Sequence, residues 1–154
     1  MTRPWVVRLT AFLAVLVVVA AGMFWNRSEL TEWSTNSWDV GPDVPGGEVV
    51  VEAGEGVRVN IDGESQSTWF QVQTRATLAR ARVDTPGPAH VVAHCDAPTP
   101  VSRCAIWVSV GFASDTRVKV LRSPGALVGG VAGVDETGSG PVPTWPNVTV
   151  QDIP

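Results

Sequence analysis

Residues 104–112 read CAIWVSVGF, and how this stretch is read decides the fold. Cys104, Ile106, Val108, Val110 and Phe112 fall on one side of a two-residue repeat, with Ala105, Trp107, Ser109 and Gly111 on the other. Successive side chains of an extended strand point to opposite faces, so the alternation predicts a half-buried strand, and valine and isoleucine suit its pleated surface. A stretch with one uninterrupted apolar face belongs in the middle of a sheet. Working outward, further strand segments are Glu48 to Ala53, Val57 to Ile61, Thr68 to Thr74, Ala76 to Val83, Ala89 to Cys95 and Arg117 to Leu121, with a last one around Val148 and Val150. Asp62-Gly63 separates two of these and predicts a tight turn, because glycine takes positive φ at little cost.

The rest of the composition agrees with short strands joined by turns. The chain has 154 residues, enough for one core, with 15 Gly and 12 Pro, and its 44% hydrophobic content is too high for a disordered segment. A net charge of -4 excludes nucleic acid as a partner, since that affinity rests on clustered cations. Residues 123–140, SPGALVGGVAGVDETGSG, alternate short apolar runs with glycine. Neither GK[ST] nor GxGxxG occurs, so the stretch predicts no phosphate cradle but very short strands turning at glycines, as in the rungs of a β-solenoid.

The N-terminus is of another kind. Residues 9–25 carry no charge, and with residues 5–8 the segment reaches 21 residues, about 30 Å as a helix, which matches a bilayer core. Trp5 and Trp25 would sit at the two interfaces, Arg8 would snorkel, and Arg3 and Arg8 ahead of the segment set the N-terminus inside the cell. The expected architecture is therefore mainly β: a cytoplasmic stub and transmembrane anchor over residues 1–25, a juxtamembrane spacer over 26–47, and an extracytoplasmic β-sandwich or β-solenoid-like domain over 48–154. The competing reading is a signal peptide cleaved near residues 19–22, which leaves the domain secreted. Trp33 and Trp38 in the spacer either lie at the headgroup level or pack on the domain.

Cys95 and Cys104 are the only cysteines. Both end strand segments, an oxidising exterior permits their bridging, and a disulfide is the expected state. A metal site using His90, His94 and the two cysteines is disfavoured because on a strand Cys95 faces away from the histidines, and a redox pair lacks CxxC spacing. No cofactor and no metal is expected: Asn60-x-Asp62-Gly63-Glu64 lacks the further ligands of a calcium loop. Ser65 lacks the GxSxG elbow, a triad from Ser65, His90 or His94 and Asp84 or Asp96 is unspecified, and Asp135 and Glu136 point to opposite faces of a strand. Arg75, Arg80 and Arg82 form a basic stripe, either a patch for an anionic glycan or lipid headgroup or a solvated sheet face. Asn26 and Asn147 begin glycosylation sequons.

The order of anchor, strands, the hairpin HCDAPTPVSRCAIWVSV and then TRVKVLRSPGALVGGVAGVDETGSG resembles the bacterial domain-of-unknown-function family labelled "putative adhesin", over residues 48–151. Members carry a cysteine-bearing hairpin followed by repeating valine-rich rungs, which here stop after one or two. The resemblance implies an envelope-tethered β-domain without catalytic residues. Two functions follow. One is a non-enzymatic, adhesion-like binding module at the bacterial cell envelope, with the lipid bilayer and an envelope protein or glycan as partners. The alternative is a structural or accessory subunit of a membrane complex.

Overall fold

Alternation in the strands is matched by alternation in burial. Val57, Val59 and Ile61 are buried while Arg58, Asn60 and Asp62 between them are exposed, and Ile106, Val108, Val110 and Phe112 are fully buried. The computed structural model describes residues 4–25, 31–41, 44, 47–97, 99–131 and 144–154, with the side chains of residues 4, 6, 7 and 23–25 outside the description. These residues hold one helix, α1 (Pro4–Trp25), and ten strands: β1 (Thr31–Gly41), β2 (Glu48–Ala53), β3 (Val57–Ser65), β4 (Thr68–Thr77), β5 (Arg80–Gly87), β6 (His90–Asp96), β7 (Arg103–Ala113), β8 (Arg117–Arg122), β9 (Leu127–Gly129) and β10 (Val148–Asp152). The chain divides into two compact units, residues 1–31 and residues 32–154.

The strands form two five-stranded sheets. One has the order β1-β4-β7-β3-β9, with β7 in its centre, and the other β10-β8-β2-β6-β5. Consecutive strands do not pair with each other along most of the chain; the chain crosses from the second sheet to the first between β2 and β3, between β6 and β7 and between β8 and β9. Like elements therefore stack in parallel: β2 lies between β6 and β8, and β3 between β7 and β9. Each crossing is one rung of a short flattened coil. The strands β4 and β5 add a rung of opposite sense, each antiparallel to its neighbour.

Parallel register puts identical residues on top of one another. Val72, Val108, Val59 and Val128 form one inward ladder across the first sheet, and Val91, Val51, Val120 and Val150 form another across the second. These ladders meet face to face as the core, joined by Val49, Phe70, Val110, Phe112 and Val118. Burying each such side chain stabilises by roughly 1.5–3 kcal/mol relative to exposure. Two indoles close the ends of the stack: Trp38 lies 5.2 Å from the Phe70 ring and donates to the Pro88 carbonyl, and Trp145 meets Phe112 edge-on at 5.6 Å and donates to the Gly130 carbonyl.

Four expectations change. Among the described residues no helix is long and apolar enough to cross a membrane, so the expected transmembrane anchor is corrected. Asp62-Gly63 is not a hairpin turn; Gly63, at φ 112, sits in a bulge inside β3, the other use of a left-handed glycine in a strand. The run Ala76 to Val83 is broken at Leu78-Ala79, where the chain passes from one sheet to the other. Finally, much of the expected spacer is strand β1. Of the glycine-rich stretch, Leu127–Gly129 is a three-residue strand pairing in parallel with β3, while residues 132–143 lie outside the described residues.

Truncating the centre of a ladder leaves a cavity that a parallel stack cannot collapse to fill. Val59→Ala is expected to lower the unfolding free energy by about 2–3 kcal/mol with an unchanged denaturant m-value, measured by urea titration.

Candidate functional site

Two features have geometry that packing alone does not require: one corner of the coil and the outer face of the first sheet. The corner follows from register. Between rungs β2–β3 and β8–β9 the sequence offset is 69 on both sides, Ala53 against Arg122 and Arg58 against Leu127, so Gly54-Glu55-Gly56 and Ser123-Pro124-Gly125 are equivalent three-residue corners. Gly56 at φ 78 and Gly125 at φ 85 make the same left-handed bend. Between rungs β2–β3 and β6–β7 the offset is 40 at Ala53 and Ala93 but 49 at Val57 and Ile106. Nine additional residues are thus inserted at the corner of the β6–β7 rung.

Cys95 and Cys104 lie on either side of that insertion and are joined by a disulfide, with a sequence separation of 9 and Cα atoms 5.8 Å apart. The bridge cuts across the insertion where the three-residue corner would run, and the strands on both sides keep register, with Asp96 still paired to Arg80 and Arg103 to Thr77 at the two ends of the loop. The corner below is fitted to it. A Cβ on Gly54 would lie 2.7 Å from the His94 Cβ, and one on Gly56 3.1 Å from the Cys95 Sγ. Inside the loop Ser102 is buried; its hydroxyl donates to the Leu78 carbonyl at 2.7 Å and accepts from Thr99 at 2.7 Å. Leu78, in the β4–β5 corner, has φ 52 and is the one described residue other than glycine with a left-handed backbone.

The expected basic stripe is divided by the fold. Arg80 and Arg82 lie on the outer side of β5, where Arg82 is engaged by Asp96 at 2.9 Å, whereas Arg75 lies on the outer face of the other sheet, its guanidinium 4.8 Å over the Trp33 ring. Trp5 and Arg8 are exposed on α1, and the side chain of Trp25 is outside the described residues. Trp33 is 66% exposed, whereas Trp38 packs on the domain. His90 bonds Glu52 at 2.8 Å, Asp96 bonds Arg82, and no group of three or more His, Cys, Asp or Glu side chains converges among the described residues. The sequon at Asn147 is internally engaged: its amide nitrogen donates to the Thr116 carbonyl at 2.6 Å and its oxygen is buried. Asn26 lies outside the described residues.

The outer face of the first sheet is the feature that strand-by-strand reading does not reach, because it is assembled by pairing. Gln73, Trp107, Arg58 and Leu127 form one cross-strand row, and Gln71, Ser109, Asn60 and Gly129 the next. In the row after that Trp69 faces Gly111, and a Cβ on Gly111 would lie 2.2 Å from the Trp69 indole nitrogen, so the indole lies directly across the glycine. Trp69 and Trp107 therefore flank a row of small and amide side chains. Among the described residues the side chains of Gln71, Gln73 and Ser109 have no hydrogen-bond partner in the chain, which leaves their donors and acceptors to solvent or a ligand. A cleft of about 450 Å³ elsewhere is lined by Glu48, Glu64, Arg117, Lys119 and Asn147, a mixture of charges with no convergent acid–base pair.

A comparison with protein families finds no match, and neither does one with curated proteins. Among solved structures the chain is similar to crystal structures described as a "putative adhesin" from Parabacteroides merdae ATCC 43184 (9% identity, TM-score 0.37), a "putative cell adhesion protein" from Clostridium sporogenes ATCC 15579 (11%, 0.31) and a "putative adhesin" from Parabacteroides distasonis ATCC 8503 (6%, 0.33). The matches cover 63%, 64% and 63% of this chain and 38%, 49% and 47% of theirs, so the chain spans less than half the length of each.

The corner predicts its own energetics. Replacing both cysteines by serine releases a loop of about ten residues and is expected to cost about 2–3 kcal/mol in urea unfolding, while thiol titration of the wild type finds no free cysteine before reduction and two after. Gly56→Ala, strained by its backbone and crowded by Cys95, is expected to cost about 1–3 kcal/mol in the oxidised protein.

Proposed function

We propose that this chain is a non-enzymatic, adhesion-like binding module of the cell exterior, and that its contact surface is the outer face of the first sheet. The observation that carries the reading is the pair of indoles, Trp69 laid across Gly111 and Trp107 between Gln73 and Arg58, flanking side chains with unspent hydrogen-bonding capacity. An indole combines a broad apolar face with little conformational entropy to lose on binding, and amide and hydroxyl groups beside it supply direction. The Cys95–Cys104 disulfide supports an oxidising exterior. A glycan of the envelope fits this surface, since sugar rings offer apolar faces to indoles and hydroxyls to amides. A protein partner of the envelope would use the same face through its own side chains.

Binding rather than turnover is supported by how the polar groups are disposed. His90, Asp96 and Asn147 are each committed to a structural partner, and the exposed residues of the sheet face act by contact. The test is retention of the full-length protein on purified envelope polysaccharide. Trp107→Ala with Gln71→Ala is expected to weaken binding by about tenfold while the thermal midpoint and disulfide stay as in the wild type. Binding unaffected by these changes would overturn the reading.

A further inference from the structure

The β4–β5 corner and the disulfide-bounded loop lie against each other, and the side chains they present are not explained by packing. Leu78 is 54% exposed and Val101 68% exposed. Leu78 also holds φ 52, a conformation that the corners of two other rungs reach with Gly56 and Gly125. A leucine there pays for its side chain in backbone strain and then leaves it in water. The buried Ser102, two hydrogen bonds deep, ties the Leu78 carbonyl to the loop that carries Val101, so the two apolar side chains belong to one braced piece.

Arginines outnumber acids around this tip. Arg75 approaches from the first sheet and Arg80 from the second, and Arg103 leaves the loop with its guanidinium resting on the Pro100 and Ser102 carbonyls. Of the acids nearby, Asp96, opposite Arg80 in the sheet, is engaged by Arg82, and Glu55 is exposed on the adjoining β2–β3 corner. This collar stands out in a chain of net charge -4. Trp33, under Arg75, adds an exposed indole at its flank.

We propose that this corner docks on an anionic lipid surface, Leu78 and Val101 entering the headgroup boundary while Arg75, Arg80 and Arg103 meet lipid phosphates. Charge complementarity selects an anionic partner, and the form of the apolar part selects lipid: two side chains carried on loops need a deformable apolar medium, whereas a protein would have to supply a matching pocket. Arg75 borders the indole-bearing sheet face, but Leu78, Val101, Arg80 and Arg103 lie off it, and the inference does not rest on the binding reading above.

The experiment is flotation of the full-length protein with vesicles of phosphatidylcholine alone and of equimolar phosphatidylcholine and phosphatidylglycerol. Wild type is expected to bind the anionic vesicles more tightly, with an excess that falls as salt rises, and Arg80→Glu and Arg103→Glu are each expected to reduce it by about fivefold or more. Leu78→Gly separates docking from stability: it relieves the backbone strain, so the unfolding midpoint should hold or rise while anionic-vesicle binding falls. Equal binding to both vesicle types, or an excess that all three variants retain, overturns the proposal. So does retention on an immobilised acidic polypeptide without any excess on anionic vesicles, which would assign the corner to an acidic protein instead.

Discussion

The structure depends on register between parallel strands. A rung β2–β3 can share its inner surface with the rungs on either side only if Val51 meets Val91 and Val120, and Val59 meets Val108 and Val128, at the same level on both sheets. Because the side-chain repeat of a strand is two, a slip of one residue would turn an entire ladder to solvent. Three-residue corners with a left-handed glycine keep the two sheets in step between the first and third of these rungs. Any extra residue must leave the stack completely or it displaces every ladder beyond it.

The disulfide meets that requirement at the one corner where it is threatened. Nine more residues separate Ala93 from Ile106 than separate Ala53 from Val57, and Cys95 and Cys104 span the gap they leave. The bond therefore does more than shorten the unfolded chain. It acts as the corner, and Gly54 and Gly56 beneath it are small because the cysteine and the adjoining His94 occupy the space a Cβ would need. Once the insertion is pinned at both ends, the loop outside the bond is relieved of any part in the core and can carry side chains chosen for other purposes.

How much of this was legible in the sequence can be followed residue by residue. Local alternation marked Cys104–Phe112 and most of the other strands, since burial on one face leaves a period of two. The cysteine pair was legible from its spacing and from its place at the ends of two strand segments. Strand β1 was not, because an edge strand exposed on both faces, with Ser34, Thr35, Asn36 and Ser37 in its middle, writes no apolar period. Nor was the break at Leu78: a corner made by leucine at positive φ carries neither glycine nor proline to announce it. Hydropathy alone suggested a membrane span at residues 5–25, which the described helix does not support. The sheet face was illegible for a deeper reason. Trp69, Gln71, Ser109 and Asn60 are neighbours only through pairings between distant strands, and a parallel offset cannot be read from any one segment.

The same register that builds the core also builds that face. Inward positions in a ladder are interchangeable valines, so the outward positions between them come into register whatever their chemistry, and selection can vary them without disturbing packing. Gly111 marks where the outer face acts on the inner frame: with no side chain of its own in the middle of β7, it leaves room for the Trp69 indole to lie against the backbone and weakens the central strand in doing so. A strand interior has no folding reason to accept glycine between Val110 and Phe112. Accommodating a flat indole supplies one, and it places the cost in the best-supported strand of the sheet, where β3 and β4 hold the backbone from both sides.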